Sequence, residues 1–347
     1  MDPNVPPQNF LRTCNNDVTK AEKLWQEHLS WRRVAEIGSI HQRPHPHFHD
    51  IKKAYPHFVH GHARNGLPVS YELCGRMNLK PLFREGLQVA DMIHHLVYTT
   101  EYMINVLKPQ LKSKVADGVD YEPEPGGIVI MDVKGLSLSQ LSGDLISYLS
   151  AAGAMVNANY PGFQKRTIIV NAPMWFSGAW GGVNKFMSKE VRDAACVCGS
   201  NYMKELNKSI DLDQIPKEYG GTSVFGMMEH EYERDLRAFV KEVEVEDEEE
   251  EEEDMGEGDK YSSPPRTPRR REHSIDPRHF MFSAKLNRWI PDEDSGFPDS
   301  PRRTRSFSFE DDTMRGAKKG GSYGGSRVFD AILLVVLLVL FLLTAFT

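Results

Sequence analysis

The sequence has few cysteines and none of the short motifs that mark common enzyme sites. Its four cysteines, spread over 347 residues, do not make a disulfide framework, and no apolar secretory segment opens the chain. A Gly-x-Ser-x-Gly elbow, a P-loop and a His-Glu-x-x-His pair are all absent. Cys196 and Cys198 offer only two of the four ligands that tetrahedral zinc needs. We therefore expect no catalytic residues, no cofactor and no metal site.

The first two thirds of the chain also lack an excess of charge of either sign. Residues 1–241 carry 27 Lys and Arg against 26 Asp and Glu, so this part is near neutral. Residues 242–259 hold 13 acids and no base, whereas residues 260–327 hold 15 bases and 9 acids. Charge separated in this way is typical of tails and linkers rather than of a core. The predicted organisation is a globular part followed by a charged linker, and nothing in it indicates nucleic-acid binding.

The segment 226–327 is predicted to be a disordered linker, acidic at first and then basic and rich in Ser and Pro. Residues 246–254 are nine consecutive acids, which repel one another and bury no apolar surface. Hydroxyls that precede Pro or follow Arg clusters are candidate phosphorylation sites: Ser263, Thr267, Ser274, Ser300 and Ser306. Phosphate there would cancel positive charge near an anionic membrane and offer contacts to protein partners. An unmodified, solvated linker is the alternative.

The segment 328–347 is an apolar run long enough to cross a membrane. Between 331 and 346 it holds thirteen Ile, Leu, Val or Phe side chains and no charge. A helix needs about 20 such residues to span ~30 Å of hydrocarbon. Lys and Arg just upstream predict that everything before residue 328 faces the cytosol. We therefore predict a transmembrane tail anchor, with the endoplasmic reticulum as the expected membrane; a buried core helix is the alternative.

The near-neutral part alternates apolar runs with helical patterns. Residues 127–133 and 165–170 are short and almost continuously apolar, and a helical pattern at 138–158 lies between them. Helical spacing also recurs at 10–60 and 86–107. Apolar runs that alternate with helices are typical of a buried, mostly parallel sheet. The predicted fold class is therefore α/β.

In detail, these segments resemble the CRAL-TRIO lipid-binding family, which includes phosphatidylinositol/phosphatidylcholine exchange proteins. The matching strings are FLR, DVTKAEKLWQEHLSWRR, RNGLPVSYELCGRMN, IVIMDVKGLSLSQL, NYPGFQKRTIIVNAPMWFSGAW, GSNYMKEL and IPKEYGGTS, and they span about residues 10–225. The resemblance implies a small N-terminal helical subdomain at 1–60 and a CRAL-TRIO lipid-binding domain at 61–225. In that fold the sheet floors an apolar pocket and a helix gates it.

The resemblance also implies which residues form the pocket and its gate. They are Ile128, Ile130, Met131, Ile168, Val170, Trp175, Phe176, Trp180, Val183, Phe186 and Met187. Large apolar side chains on a surface helix can enter a bilayer while the pocket exchanges lipid. An ordinary core helix is the alternative for the aromatic-rich stretch.

The positions that hold a phospholipid head group in such proteins carry no polar side chain here. They are Gly127, Val129, Gly162, Val191 and Ala194. These residues supply neither hydrogen-bond donors nor charges to solvate a phosphate. We expect a hydrophobic ligand such as a sterol, an isoprenoid or a neutral lipid, or a phospholipid held differently. The expected function is binding and local transfer or sensing of that lipid at a cytosolic membrane surface; a tail-anchored scaffold with an empty pocket is the alternative.

Seven histidines cluster within 22 residues of the N-terminal part. They are His41, His45, His47, His49, His57, His60 and His62. A metal site and a pH sensor are the functional interpretations of such a cluster. Irregular spacing and intervening prolines favour a solvated loop instead.

Overall fold

The N-terminal part of the chain is helical, as its apolar spacing predicts. The computed structural model describes residues 5–137, 140, 142–174, 176, 180–181 and 189–240, together with strands at 280–283 and 288–291. The first helices are α1 (Gln8–Thr13), α2 (Val18–Val34) and α3 (Phe48–Ala54), with a 3-10 turn at Ile37–Gln42 between the last two. The carboxylate of Asp17 caps α2 by accepting a hydrogen bond from the Lys20 backbone N–H at 3.1 Å.

A five-stranded mixed sheet forms the centre of the molecule. Its strands are β1 (His57–His62), β2 (Pro68–Glu72), β3 (Gly127–Asp132), β4 (Gln164–Val170) and β5 (Ala195–Val197), in that order across the sheet. Strand β1 is antiparallel to β2, and the other neighbours are parallel. The prediction of an α/β fold with a mostly parallel sheet is confirmed. Strands β1 and β5 add to the sheet that the apolar runs predict.

Helices connect the parallel strands and cover the sheet. They are α4 (Lys80–Arg84), α5 (Val89–Tyr102), α6 (Lys108–Leu111), α7 (Gly143–Asn159), α8 (Lys189–Ala194) and α9 (Met203–Leu206). A π-helical turn at Met103–Leu107 joins α5 to α6, and 3-10 turns lie at Cys74–Arg76, Lys112–Lys114, Leu212–Gln214 and Lys217–Tyr219. Helix α7 is the crossover between β3 and β4. Its N-cap is Ser142, whose hydroxyl accepts from the Leu145 N–H at 3.2 Å.

The two faces of the sheet pack into two separate apolar clusters. Val129, Met131 and Ile169 join a large cluster with the N-terminal helices, α5 and α7. Ile130 of β3 and Ile168 of β4 point the other way, because successive side chains of a strand alternate. These side chains pack against Leu206 of α9 and against Ile215. The continuously apolar strands are therefore buried on both faces, as strands of parallel sheets are.

The packed part of the chain extends past residue 225, where the sequence predicts the linker to begin. Residues 231–240 form a further helix, α10. Tyr232, Leu236 and Val240 recur every fourth position on one face and are all buried in the large cluster. The predicted boundary at 225 is therefore too early by about one helix. Two further strands, β6 (Phe280–Ser283) and β7 (Arg288–Pro291), pair antiparallel within the segment predicted to be disordered.

The predicted tail anchor lies outside the described residues. Among the described ranges, no helix is both long and apolar enough to cross a membrane. The segment 328–347 and the five candidate phosphorylation sites fall beyond those ranges.

Candidate functional site

An internal cavity lies between one face of the sheet and helices α5 and α7. Its volume is about 120 Å³. Strands β1 to β3 contribute the floor, α5 and α7 the opposite wall, and Leu236 of α10 part of the rim. The lining is mostly apolar, so the cavity suits a hydrophobic ligand or segment of one.

Strand alternation decides which of the predicted pocket residues reach this cavity. Met131 lines it, together with Val129 and Gly127. The other predicted strand residues are Ile128, Ile130, Ile168 and Val170, and they belong to the cluster on the opposite face of the sheet. Their assignment to the pocket is wrong, because a step of one residue along a strand reverses the direction of the side chain. They stabilise the fold from beneath the cavity floor.

The predicted gate is only partly within the described residues. Phe176 is fully buried and Trp180 is 8% exposed, and both pack in the cluster on the cavity side of the sheet. Met174, immediately before them, is 93% exposed. Trp175, Val183, Phe186 and Met187 lie outside the described residues. The gate segment thus combines buried aromatic anchors with an exposed apolar side chain.

The five altered head-group positions fall in two places. Gly127 and Val129 line the cavity, whereas Gly162 and Ala194 line an open polar cleft elsewhere. Val191 lies in α8, and its side chain is not among those described. Gly162 has a φ of +66°, a left-handed conformation that side-chain-bearing residues rarely adopt. Local backbone geometry therefore disfavours an acidic side chain at that position.

In the polar cleft, the two cationic side chains already form salt bridges with a carboxylate of the protein itself. Glu124 forms salt bridges with Arg12 of α1 and, at 2.7 Å, with Lys165 of β4. Both cations are held by one internal acid, and Glu122 adds a second acid to the cleft wall. An incoming phosphate would have to compete with the Glu124 carboxylate for these two cations.

A buried ion pair joins α3 to α10 at the edge of the cavity. Lys52 Nζ lies 3.0 Å from Glu233 Oε1, and the two side chains are 2% and 0% exposed. Glu233 also accepts from the Val59 N–H at 3.2 Å and pairs with Arg237 at 2.9 Å. This carboxylate is therefore satisfied on all sides, as a buried charge requires. The pair fixes α10, and with it Leu236, against the cavity.

Three imidazoles form a hydrogen-bonded row beside the cavity. His57 Nε2 and His95 Nε2 are 2.9 Å apart, and His95 Nδ1 is 3.0 Å from His45 Nε2. His57 Nδ1 lies 2.7 Å from the carbonyl oxygen of Tyr55, so that nitrogen carries the proton. His57 then accepts from His95, and His95 accepts from His45. The row has one consistent set of neutral tautomers, and it ends at His45 Nδ1, which has no hydrogen-bond partner within the described part of the chain.

The histidine-rich segment is therefore not a solvated loop, which corrects the interpretation that its sequence favours. His45 is 2% exposed, and His60 of β1 is fully buried with its Nε2 3.0 Å from the Ser223 hydroxyl. His45 packs against His95 and Tyr98 of α5, and His60 packs against Tyr71 and His230. A prediction from spacing did not detect these contacts. No group of three or more His, Cys, Asp or Glu side chains in the described ranges has an arrangement that would hold a metal ion.

Stability is expected to fall as the pH falls below the ordinary pKa of histidine. Burial lowers the pKa of His45 from 6.5 to about 3 and holds the pKa values of His57 and His95 well below their usual range. The unfolded chain therefore binds protons below pH 6.5 that the folded protein does not accept until about pH 3. Within this window each such histidine lowers the unfolding free energy by up to about 1.4 kcal/mol per pH unit.

The His45→Gln variant is expected to have a shallower pH dependence, because one imidazole that titrates only after unfolding is gone. Denaturant midpoints measured from about pH 7.5 to about pH 5 give the slope. The matched variant is His49→Gln, since His49 is exposed. Equal slopes for wild type and His45→Gln would contradict the assignment of His45 as a buried neutral ring.

Among the described residues, Glu72 of β2 is the one carboxylic acid that lines the cavity, and no cation forms a salt bridge with it. Its Oε2 accepts a hydrogen bond from the Tyr55 hydroxyl at 2.7 Å. Burial raises the pKa of Glu72, although the hydrogen bond from Tyr55 acts in the opposite direction. Sequence reasoning missed Glu72, Lys52 and His57 as cavity residues. The signal available was the alternation of β2, in which Ser70 and Glu72 fall on one side.

Comparison with known proteins identifies the domain that contains this cavity. Residues 52–221 match the CRAL/TRIO domain family. The SEC14 cytosolic factor of Candida glabrata is 28% identical over 218 residues, which cover 62% of this chain and 69% of that protein. The phosphatidylinositol/phosphatidylcholine transfer protein SFH7 of Arabidopsis thaliana is 26% identical over 233 residues, which cover 64% of this chain and 41% of that protein. The crystal structure of Sfh5 superposes with a TM-score of 0.45 at 17% identity, covering 69% of this chain and 80% of that one. Residues 52–221 of this chain are therefore a CRAL/TRIO domain with SEC14-like relatives.

Proposed function

We propose that the protein binds a hydrophobic lipid in the cavity between the sheet and helices α5 and α7, and transfers or senses it locally at a membrane surface. The observation that carries this proposal is the mostly apolar cavity inside a CRAL/TRIO domain whose relatives include a named phospholipid transfer protein. The part of the chain around the cavity is near neutral, so binding depends on burial of apolar surface rather than on charge.

Ligand entry requires the gate to move. A volume of about 120 Å³ is below the roughly 300–1,000 Å³ of most sites for complete small molecules. Phe176 and Trp180 fill space on the cavity side of the sheet, and Met174 beside them is exposed. Outward movement of this segment would enlarge the cavity and bring apolar side chains to a bilayer surface at the same time. Coupling of opening to membrane contact keeps the lipid out of water.

The bound lipid is not held in the manner of a phosphatidylinositol or phosphatidylcholine head group. Gly127 and Val129 give the cavity floor no hydrogen-bonding side chain at these positions, and Glu124 already occupies both cations of the cleft that contains Gly162. Solvation of a buried phosphate needs charge or several donors. A sterol, an isoprenoid or another neutral lipid fits this lining better.

The role of the cavity is binding rather than catalysis. Each ring of the row formed by His57, His95 and His45 holds its neighbour in a fixed tautomer. The nitrogen of His57 directed at His95 is already used as an acceptor, so it has no lone pair left to take a proton from a ligand. This arrangement supports a structural part for the histidines in the cavity wall.

The apolar segment 328–347 would hold the domain at one membrane, with the endoplasmic reticulum as the expected site. The charged segment 241–327 would act as the tether, and its phosphorylation would tune attraction to anionic lipid or to protein partners. Alkaline extraction tests the anchor. The full chain is expected to stay in the membrane pellet and a chain ending at residue 327 to be released. Equal release of both would refute a membrane-spanning tail.

Mass spectrometry of lipids that purify with the full chain tests the proposed function. The control is the full chain with Val129→Trp, which fills the cavity and leaves the C-terminal segment unchanged. A lipid that accompanies the wild type and not the variant is the ligand. Identical lipid profiles, with both proteins folded, would instead favour a tail-anchored scaffold whose cavity stays empty.

A further inference from the structure

The acidic side chain in the cavity has a defined set of neighbours. Glu72 lies deep within the protein. Its side chain is half-buried and lines the cavity. The Tyr55 hydroxyl bonds one of its oxygens at 2.7 Å. Within the described residues, no other side chain donates to this carboxyl and no Lys, Arg or His forms a salt bridge with it. Its second oxygen is therefore left to face the cavity.

A second polar group near Glu72, the Tyr148 hydroxyl, has no hydrogen-bond partner among the described residues. Tyr148 of α7 lines the cavity, and its pKa is raised by burial and by the nearby Glu72 carboxyl. No hydrogen bond involves its hydroxyl in the part of the chain that the structure describes. The hydroxyl is not among the fully enclosed polar atoms, so it keeps some accessible surface. Strand β2 and helix α7 thus bring a carboxyl and a nearby hydroxyl into one mostly apolar cavity.

Among the described residues, the cavity offers a ligand no unpaired cation. Lys52 is the only Lys or Arg among the described cavity residues, and Glu233 neutralises it at 3.0 Å in a pair that is almost wholly buried. Desolvation favours the protonated form of a buried carboxyl that has no cation beside it, so burial raises the pKa of Glu72. A protonated carboxyl has one O–H donor and one accepting oxygen, and the tyrosine hydroxyl can both donate and accept.

From this geometry we infer that Glu72 and Tyr148 bind the polar end of an uncharged lipid, a single hydroxyl or carbonyl group. The inference rests on the proposed function and names its ligand class. A hydroxyl would accept from the Glu72 O–H and donate to the Tyr148 oxygen; a carbonyl would accept from both. Burial of such a group without partners costs about 1–3 kcal/mol, so two matched partners select for it.

The same groups select against charged lipids. A phosphodiester brings a negative charge and several acceptors, and among the described cavity residues it would meet no unpaired cation. Its burial here would be far more costly than that of a neutral head group. A cationic amine would bind only if Glu72 lost its proton, which converts the site to a buried ion pair. The variants below separate that case from the neutral one.

Photoactivatable lipids test the inference on the full chain in phosphatidylcholine vesicles. Three probes are compared: a photoactivatable sterol with a free hydroxyl, its methyl ether, and a photoactivatable phosphatidylcholine. Peptide mapping separates label in the cavity, near Met131 and Leu149, from label in the C-terminal segment. The free sterol is expected to label the cavity at least about tenfold more than phosphatidylcholine. It should also exceed its methyl ether, which cannot donate to Tyr148.

Matched variants identify the groups responsible. Glu72→Gln keeps a neutral donor and acceptor and an acceptor for Tyr55, so cavity label should stay within about twofold of wild type. Glu72→Leu should lose about tenfold. Tyr148→Phe removes a hydroxyl that bonds no described residue, so it should fold normally and still weaken labelling by several fold. Melting temperatures confirm that each variant is folded.

Three outcomes would overturn the inference or the function beneath it. Cavity label by phosphatidylcholine equal to that of the sterol would refute the ligand class while leaving lipid binding intact. Glu72→Gln losing as much as Glu72→Leu would show that Glu72 acts as an anion and that the ligand is cationic. Absence of cavity label with every probe, in a folded wild type, would sink the proposed lipid-binding function itself.

Discussion

Replacement of Val129 with tryptophan is expected to remove lipid binding while the protein remains folded. Val129 lies in the middle of β3, faces the cavity and is 6% exposed. An indole ring projecting from this position would occupy most of a space of about 120 Å³. Enlargement of a core side chain typically costs about 1–3 kcal/mol, and an existing cavity keeps that cost at the lower end. A ligand would then have no room against the sheet.

Uptake of lipid from vesicles and lipid that purifies with the full chain are the two measurements. Both are expected to fall by at least about tenfold in Val129→Trp, since a filled site loses the whole contact surface of the ligand. Val224→Trp is the control, because Val224 is 84% exposed and adds the same ring outside the cavity. Leu149→Trp fills the same cavity from α7. Normal lipid uptake by both folded cavity variants would mean that the ligand binds elsewhere.

Replacement of Glu233 with leucine is expected to destabilise the protein by about 3–5 kcal/mol. The change leaves the Lys52 ammonium buried without its partner and removes the acceptor of the Val59 N–H. Most of the cost comes from the uncompensated charge rather than from the lost attraction. This is a large fraction of the total stability of a typical domain, so the variant should melt far below wild type.

Chemical denaturation of three variants separates the contributions. The double variant Lys52→Met, Glu233→Leu removes both charges and should recover much of the loss, because an apolar pair of similar size packs without a desolvation cost. Arg237→Ala should cost no more than about 1 kcal/mol, since its side chain is one third exposed. A double variant as unstable as Glu233→Leu alone would show that the loss of stability comes from the packing of α10 and not from the buried charge.

A chain ending at residue 225 would also leave Lys52 buried without Glu233, so a stable fragment has to include α10.

Local sequence predicted the architecture well where a segment carries its own pattern. The apolar runs at 127–133 and 165–170 became β3 and β4, and the helical pattern between them became α7. Strand β1 has four polar or small residues in six, and α10 follows a turn-rich stretch next to an acidic run. Neither segment carries a strong period by itself. Both are ordered because other parts of the chain bury them: Glu233 and Val59 meet across 174 residues of sequence.

The candidate site, too, could be predicted from the local sequence only in part. Alternation along β3 establishes that Ile128 and Met131 face opposite sides, but an apolar run buried on both faces does not show which side holds the cavity. That depends on where α5 and α7 pack, which is a tertiary property. The polar pair in the cavity is even harder to predict from sequence, because Glu72 and Tyr148 are separated by 76 positions and neither lies in a motif.

The sequence by itself determined the fold class, the CRAL/TRIO match and the separation of a near-neutral domain from a charged linker, because composition and periodicity are local properties. Tertiary structure alone decided which strand face lines the cavity, how the histidine row is protonated and which acid lies without a cation. Each of these depends on contacts between residues far apart in sequence and on their removal from water. Burial raises the pKa of Glu72, and the packing of α7 over the sheet brings Tyr148 to the same cavity.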